Sequence, residues 1–151
     1  MKNFKNKIAV VTGGGTGMGR ELVRQLAAEG CHVAMCDVIQ ENMEETFEIV
    51  SKECPNIRVT KHICDVSDEE QVLQFRDEVI DQHDTSVINL LFNNAGIGGG
   101  GSFVEGSREE WERCFAVCWY GVYYCSRAFM EYIVASDEGH IINTSSVNGF
   151  W

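Results

Sequence analysis

The segment Thr12-Gly13-Gly14-Gly15-Thr16-Gly17-Met18-Gly19 is dense in glycine. Glycines reach positive φ and let a ligand approach the main chain with no Cβ in the way. Where such a turn opens a helix, free N–H groups and the positive end of the helix dipole favour phosphate oxygens. The spacing is G-x-x-x-G-x-G, at Gly13, Gly17 and Gly19. It departs from G-x-G-x-x-G, because Met18 stands where the final glycine would be. It departs from the P-loop too, because Arg20-Glu21 replaces the Lys and Ser/Thr that grip phosphate and metal. A tight strand–helix turn with no ligand is the alternative reading of these residues.

Asp37 closes the next apolar run. A carboxylate there can accept both hydrogen bonds of an adenosine ribose and would repel a 2′-phosphate, which favours NAD over NADP. The competing reading is a solvated acidic loop residue. Asn93-Asn94-Ala95-Gly96 follows the apolar run Val87 to Phe92, and Ser146 the one at Ile141-Ile142. His32, His62, His83 and His140 are scattered and make no triad with Ser146.

The elements that carry these residues alternate. Ile8 to Val11 reads as a buried strand, and a helix with Leu22, Val23, Leu26 and Ala27 on one face runs from Met18 until Gly30 ends it. His32 to Cys36 is the second strand, Gln40 to Lys52 a helix, and Arg58 to Ile63 the third strand. Ser67-Asp68-Glu69-Glu70 carries a capping-box signature ahead of a helix that buries Val72, Phe75 and Val79. Val87 to Phe92 is the fourth strand. Ser107-Arg108-Glu109-Glu110 is a second capping box, opening one long helix to about Val134. Its expected apolar stripe is Trp111, Phe115, Cys118, Val122, Cys125, Phe129 and Ile133. The fifth strand lies at about His140 to Thr144. This alternation predicts an α/β fold, a doubly wound parallel sheet with right-handed crossovers. Such sheets bind ligands beyond the carboxyl ends of their strands, where the glycine loop, Asp37, Asp65, Asn93–Gly96 and Ser146 all fall.

The chain of 151 residues carries 12 Lys and Arg against 23 Asp and Glu, a net charge of −11. That balance argues against nucleic-acid or anionic-membrane partners, which need clustered cations. No stretch approaches the ~18 apolar residues of a membrane span. The 7 cysteines show no C-x-x-C pair and no secretory leader precedes them, so the expectation is a cytoplasmic chain with reduced thiols that behave as small core hydrophobes and bind no metal.

Taken in order, the T-G-x-x-x-G-x-G turn, Asp37, Cys64-Asp65-Val66, Asn93-Asn94-Ala95-Gly96 and Gly139-His140-Ile141-Ile142-Asn143-Thr144-Ser145-Ser146-Val147-Asn148-Gly149 resemble the short-chain dehydrogenase/reductase family across essentially the whole chain. The resemblance implies a Rossmann-type sheet ordered 3-2-1-4-5-6-7. It also implies hydride transfer between a nicotinamide cofactor and a small-molecule alcohol or carbonyl. By that resemblance Thr12, Gly13, Gly15, Thr16, Gly17, Met18 and Gly19 form the cofactor loop, and Asp37 holds the adenosine ribose. Asp65 and Val66 flank the adenine, Asn93, Asn94, Ala95 and Gly96 line the cleft, and Ser146 is the active-site serine.

Two departures stand out. Cys118 occupies the place of the family's mid-helix asparagine, which helps order a proton-relay water. A thiol is a poor hydrogen-bond partner, and simple packing in the helix interior is expected of it. The family's Tyr-x-x-x-Lys, its general acid/base, follows the serine and does not occur in these residues. Tyr123-x-x-x-Arg127 is only superficially similar. The expectation is therefore an NAD(P)-binding Rossmann domain over 1–151 that is the N-terminal part of a longer enzyme and inactive alone. A non-catalytic dinucleotide-binding or subunit-association module is the other reading. Trp111 and Trp119 are expected to pack, and the 107–135 helix to form a homo-oligomer contact in the complete protein.

Overall fold

The structure, a computed structural model, describes residues 1, 3–99, 101–102 and 104–146; Val147, Asn148 and Gly149 of the last motif lie outside them. Chain order is β1 (Ile8–Thr12), α1 (Gly17–Ala28), β2 (His32–Asp37), α2 (Gln40–Glu53), β3 (Val59–Ile63), α3 (Glu69–His83), β4 (Leu90–Asn93), α4 (Arg108–Phe115), a π-helical turn (Ala116–Tyr120), α5 (Gly121–Val134) and β5 (His140–Asn143). The strands form one parallel sheet in the order β3-β2-β1-β4-β5. This is the Rossmann-type arrangement.

Alternate side chains of the central strands feed two cores. Val10, Ala34, Cys36 and Leu91 pack toward Phe75 of α3 and Phe129 of α5. Ala9, Val11, Val33, Met35 and Leu90 pack toward Val23 of α1 and Met43 and Val50 of α2. A sheet covered on both faces demands near-continuous apolar strands, and β1 and β2 supply them. The register sets Thr12 beside Cys36, Asp37 beside Ile63 and Asn93 beside Asn143, so the polar strand ends share one rim.

Three local features differ from the sequence expectation. β4 begins at Leu90 rather than Val87. The Asn89 side chain accepts the Ile8 N–H at 2.9 Å and donates to Ser136 Oγ at 2.7 Å, so a side-chain carbonyl takes a donor that a strand carbonyl would otherwise receive. α3 is capped by Asp68, whose carboxylate accepts the N–H groups of Glu70 and Gln71. Ser67 instead donates to Asp65 Oδ1 at 2.6 Å. The second box, Ser107 with Glu110, forms in full.

The expected long helix runs without interruption from Arg108 to Val134, but a π-helical turn is inserted within it at Ala116–Tyr120. The extra residue in that turn rotates the face that follows. Val117, Gly121, Cys125, Phe129 and Ile133 therefore point into the core, while Phe115 and Cys118 of the expected stripe stay exposed. Gly121 has a packing reason: a Cβ there would stand 2.7 Å from Val66 Cγ2.

Candidate functional site

The glycine loop is held from behind by β2. The Gly14 N–H donates to Cys36 O at 3.0 Å, and the Gly15 N–H donates to Asp37 Oδ2 at 3.1 Å. Arg20 Nη2 donates to Gly15 O at 2.8 Å and pairs with Glu45, while Arg20 Nε donates to Thr46 Oγ1. These bonds consume the loop's inward groups. The first-turn N–H groups of α1 lack intrahelical partners, the Thr16 side chain makes no capping bond, and no acidic residue occupies that turn.

Two glycines are demanded by different constraints. At Gly19 a Cβ would lie 1.9 Å from Gly13 O, a contact no side chain can make. Gly17 has φ +54° and open space around its Cβ position. A left-handed residue facing an empty volume is suited to a ligand's approach rather than to protein packing.

The loop interlocks with Asn93–Gly96. Thr12 Oγ1 accepts the N–H groups of Asn94 at 3.0 Å and Ala95 at 2.9 Å. Asn94 Nδ2 donates to Thr12 O at 3.0 Å and Gly13 O at 3.3 Å. Asn93 is buried, with Nδ2 donating to Asn143 Oδ1 at 2.8 Å and Ser126 Oγ at 3.1 Å. Its Oδ1 is buried and accepts no hydrogen bond among the described residues.

Two cavities meet at Ala95 and Gly96. The smaller, of about 110 Å³, is walled by Gly13, Asp37, Val38, Asp65, Val66 and Arg113 among others. The larger, of about 580 Å³, is walled by Asn93, Asn94, Cys118, Trp119, Thr144 and Ser146 among others. The structure thus brings the glycine loop, Asp37, Asp65, Val66 and Asn93–Gly96 together, with Ser146 at the far end of the same cleft. Met18 projects outward, 61% exposed. The Asp65 carboxylate is engaged by the N–H and hydroxyl of Ser67.

The sequence profile of short chain dehydrogenases matches residues 7–151. The chain belongs to the short-chain dehydrogenase family. It is 35% identical over 146 residues to the meso-2,3-butanediol dehydrogenase of Serratia marcescens, covering 97% of this chain and 55% of that protein. A crystal structure of a short-chain dehydrogenase/reductase from Burkholderia phymatum in complex with NAD superposes with a TM-score of 0.91 at 32% identity, covering 100% of this chain and 53% of that one. A metagenomic short-chain oxidoreductase in complex with NADP superposes at 0.86 and 30% identity, covering 97% and 64%. The chain spans about half the length of the curated relatives it matches, such as the 55% just given.

Other expectations about this member of the family need correction. Cys118 does not pack in the helix interior: the π-helical turn puts it on the larger cavity, donating to Ile97 O at 3.5 Å. Trp119 is not packed against the core either. It is 59% exposed and stacks on Tyr123 with centroids 6.3 Å apart. Arg127 Nη1 donates to Tyr123 Oη at 3.1 Å on the exposed face of α5, and neither residue lines either cavity. Cys31, Cys36, Cys64 and Cys125 are buried as expected of small hydrophobes.

Two of the scattered histidines converge. His83 Nε2 and His62 Nε2 meet Thr60 Oγ1 at 3.0 and 2.9 Å, and His62 Nδ1 meets Glu78 Oε2 at 2.8 Å. Burial lowers the His83 pKa to about 4, helped by Arg58 and the neighbouring histidines. Burial also lowers that of His62, against the pull of Glu78. The clue in the sequence was the alternation Thr60-x-His62, which puts both side chains on one strand face. Among the described residues no group of three or more His, Cys, Asp or Glu side chains is disposed to hold a metal ion. No helix among them is long and apolar enough to cross a membrane.

Proposed function

We propose that this chain carries the NAD-binding half of an oxidoreductase that transfers a hydride between nicotinamide and an alcohol/carbonyl pair. The observation that carries the reading is that two cavities share Ala95 and Gly96, the smaller reaching Gly13 and Asp37 and the larger reaching Ser146. The main chain of Thr12–Gly19, with the dipole of α1, suits a pyrophosphate. Asp37 suits the adenosine ribose, and Asp65 and Val66 suit the edges of the adenine. Asn93 to Gly96 form the floor between the two halves. When bound, the dinucleotide supplies the hydride chemistry; the chain supplies placement.

NAD is favoured over NADP because a 2′-phosphate would meet the Asp37 carboxylate. Of the nearby arginines, Arg20 is committed to Gly15 O and Glu45, and Arg113 lies on the wall of the smaller cavity with Asp37. Ser146, on the wall of the larger cavity, suits a hydrogen bond to the substrate oxygen. We infer that the exposed aromatic face of α4–α5, with Phe115, Trp119, Tyr120 and Tyr123, meets a second copy in the complete protein.

Fluorescence titration with NADH and NADPH, beside NADH formation from a panel of secondary alcohols, tests the reading on the complete protein. Tighter NADH binding with turnover lost in Ser146→Ala supports it. Binding without turnover in the complete protein favours the non-catalytic module, and no binding rejects both.

A further inference from the structure

The larger cavity carries a pair of thiols that the oxidoreductase reading does not use. Cys114 in α4 and Cys118 in the π-helical turn both line it. Cys114 Sγ lies 4.0 Å and Cys118 Sγ 3.5 Å from the same acceptor, Ile97 O. Residues four apart on a helix share a face. The pair is therefore convergent and opens toward the cleft. The other close thiols, Cys36, Cys64 and Cys125, are sealed in the core at 0%, 1% and 0% exposure.

We propose that Cys114 and Cys118 form a dithiol site for trivalent arsenic, held in two-point fashion on the wall of the larger cavity. A monosubstituted arsenous acid, R–As(OH)2, exchanges both hydroxyls for the two sulfurs. Two As–O bonds break and two As–S bonds form. Each leaving hydroxide takes one thiol proton and departs as water, and arsenic stays in the +3 state. No external oxidant or base is needed.

The chemistry matches the electrostatics of the pair. Desolvation, with Cys118 beside it, holds the Cys114 pKa above the ordinary thiol range, and alkylating agents depend on the thiolate. An arsenical brings its own proton acceptor and does not depend on a preformed Cys114 thiolate. Two-point attachment also replaces a second bimolecular encounter with an intramolecular one, which strengthens binding well beyond a single thiol's. The site makes no use of the cofactor, so it stands or falls separately from the oxidoreductase reading.

Phenylarsine oxide, hydrated to this form in water, is the probe, applied to the full chain under reducing-agent-free conditions and read by intact and peptide mass spectrometry. One adduct that bridges Cys114 and Cys118 is expected. It should be removed by a dithiol and resist an equal concentration of monothiol. Cys114→Ser and Cys118→Ser should each weaken retention at least about tenfold, while Cys36→Ser should not. Circular dichroism of each variant verifies that the fold is kept. An adduct that maps to Cys36, Cys64 or Cys125, or one that survives Cys118→Ser in a folded chain, overturns the proposal. Absence of any adduct on the folded parent chain overturns it equally.

Discussion

Asp37 and Gly15 are joined by a hydrogen bond of 3.1 Å from the loop amide to the carboxylate, while the other carboxylate oxygen accepts the Ile39 N–H at 3.2 Å. One acid therefore shapes the glycine loop and the start of the β2–α2 connection at the same time. Asp37→Ala should weaken NADH binding at least about tenfold, since a charge-assisted acceptor is worth about 1.5–3 kcal/mol. Asp37→Asn retains an acceptor for Gly15 while losing the charge. It should narrow the preference for NADH over NADPH more than it loosens the fold, and paired titrations check this.

The two glycines that frame the α1 N-terminus should separate folding from binding. Gly19→Ala drives a Cβ into Gly13 O and should cost about 2 kcal/mol of stability in urea denaturation. Gly17→Ala meets no neighbour, so only the strain at φ +54° opposes it, about 1 kcal/mol. Its loss of NADH affinity should exceed what its stability loss explains.

Asn89 is the hinge between β1, β4 and the α5–β5 connection. Asn89→Ala strands the Ile8 N–H and leaves Ser136 Oγ with the Glu138 N–H alone, and a stranded buried donor costs about 1–3 kcal/mol. A fall of several degrees in the melting temperature is expected, with NADH affinity of the remaining folded chain unchanged.

The Glu78–His62–Thr60–His83 chain gives the fold an acid-sensitive edge. In the unfolded chain a histidine takes its proton near 6.5, whereas His83 in the fold resists until about 4. The unfolded state binds more protons across that window, so stability falls as pH drops through it. Denaturation midpoints should be lower near pH 5 than near pH 7.5. His83→Gln should flatten that slope, and an unchanged slope would count against the assignment.

The strand–helix alternation, the glycine loop and the gathering of polar residues at the strand ends were legible in the sequence because they rest on local signals, whereas the sheet order followed only from the family resemblance. Apolar runs of strand length, glycine spacing and a terminal acid each declare themselves within a few residues. The features that escaped depend on contacts distant in sequence. Asn89 shortens β4 through Ile8, 81 positions away. The π-helical turn ends at Gly121, which lies against the sequence-distant Val66, and Cys118 and Trp119 lie on the cavity wall rather than in the expected core. His62 and His83 are joined by Thr60 across the β3–α3 interface. Periodicity alone reports which residues share a helix face, not where a helix inserts an extra residue.

The central claim is that a dinucleotide rests on the main chain of Gly15 to Gly19 with its ribose against Asp37. An amide-resolved NMR titration of the chain with NAD tests it most directly. The account predicts that amide signals of Gly15, Gly17, Gly19, Asp37, Val66 and Gly96 shift together with a single saturation curve, and that Asp37→Ala abolishes the response. Shifts confined to residues away from these strand ends, or none at saturating NAD, would contradict it.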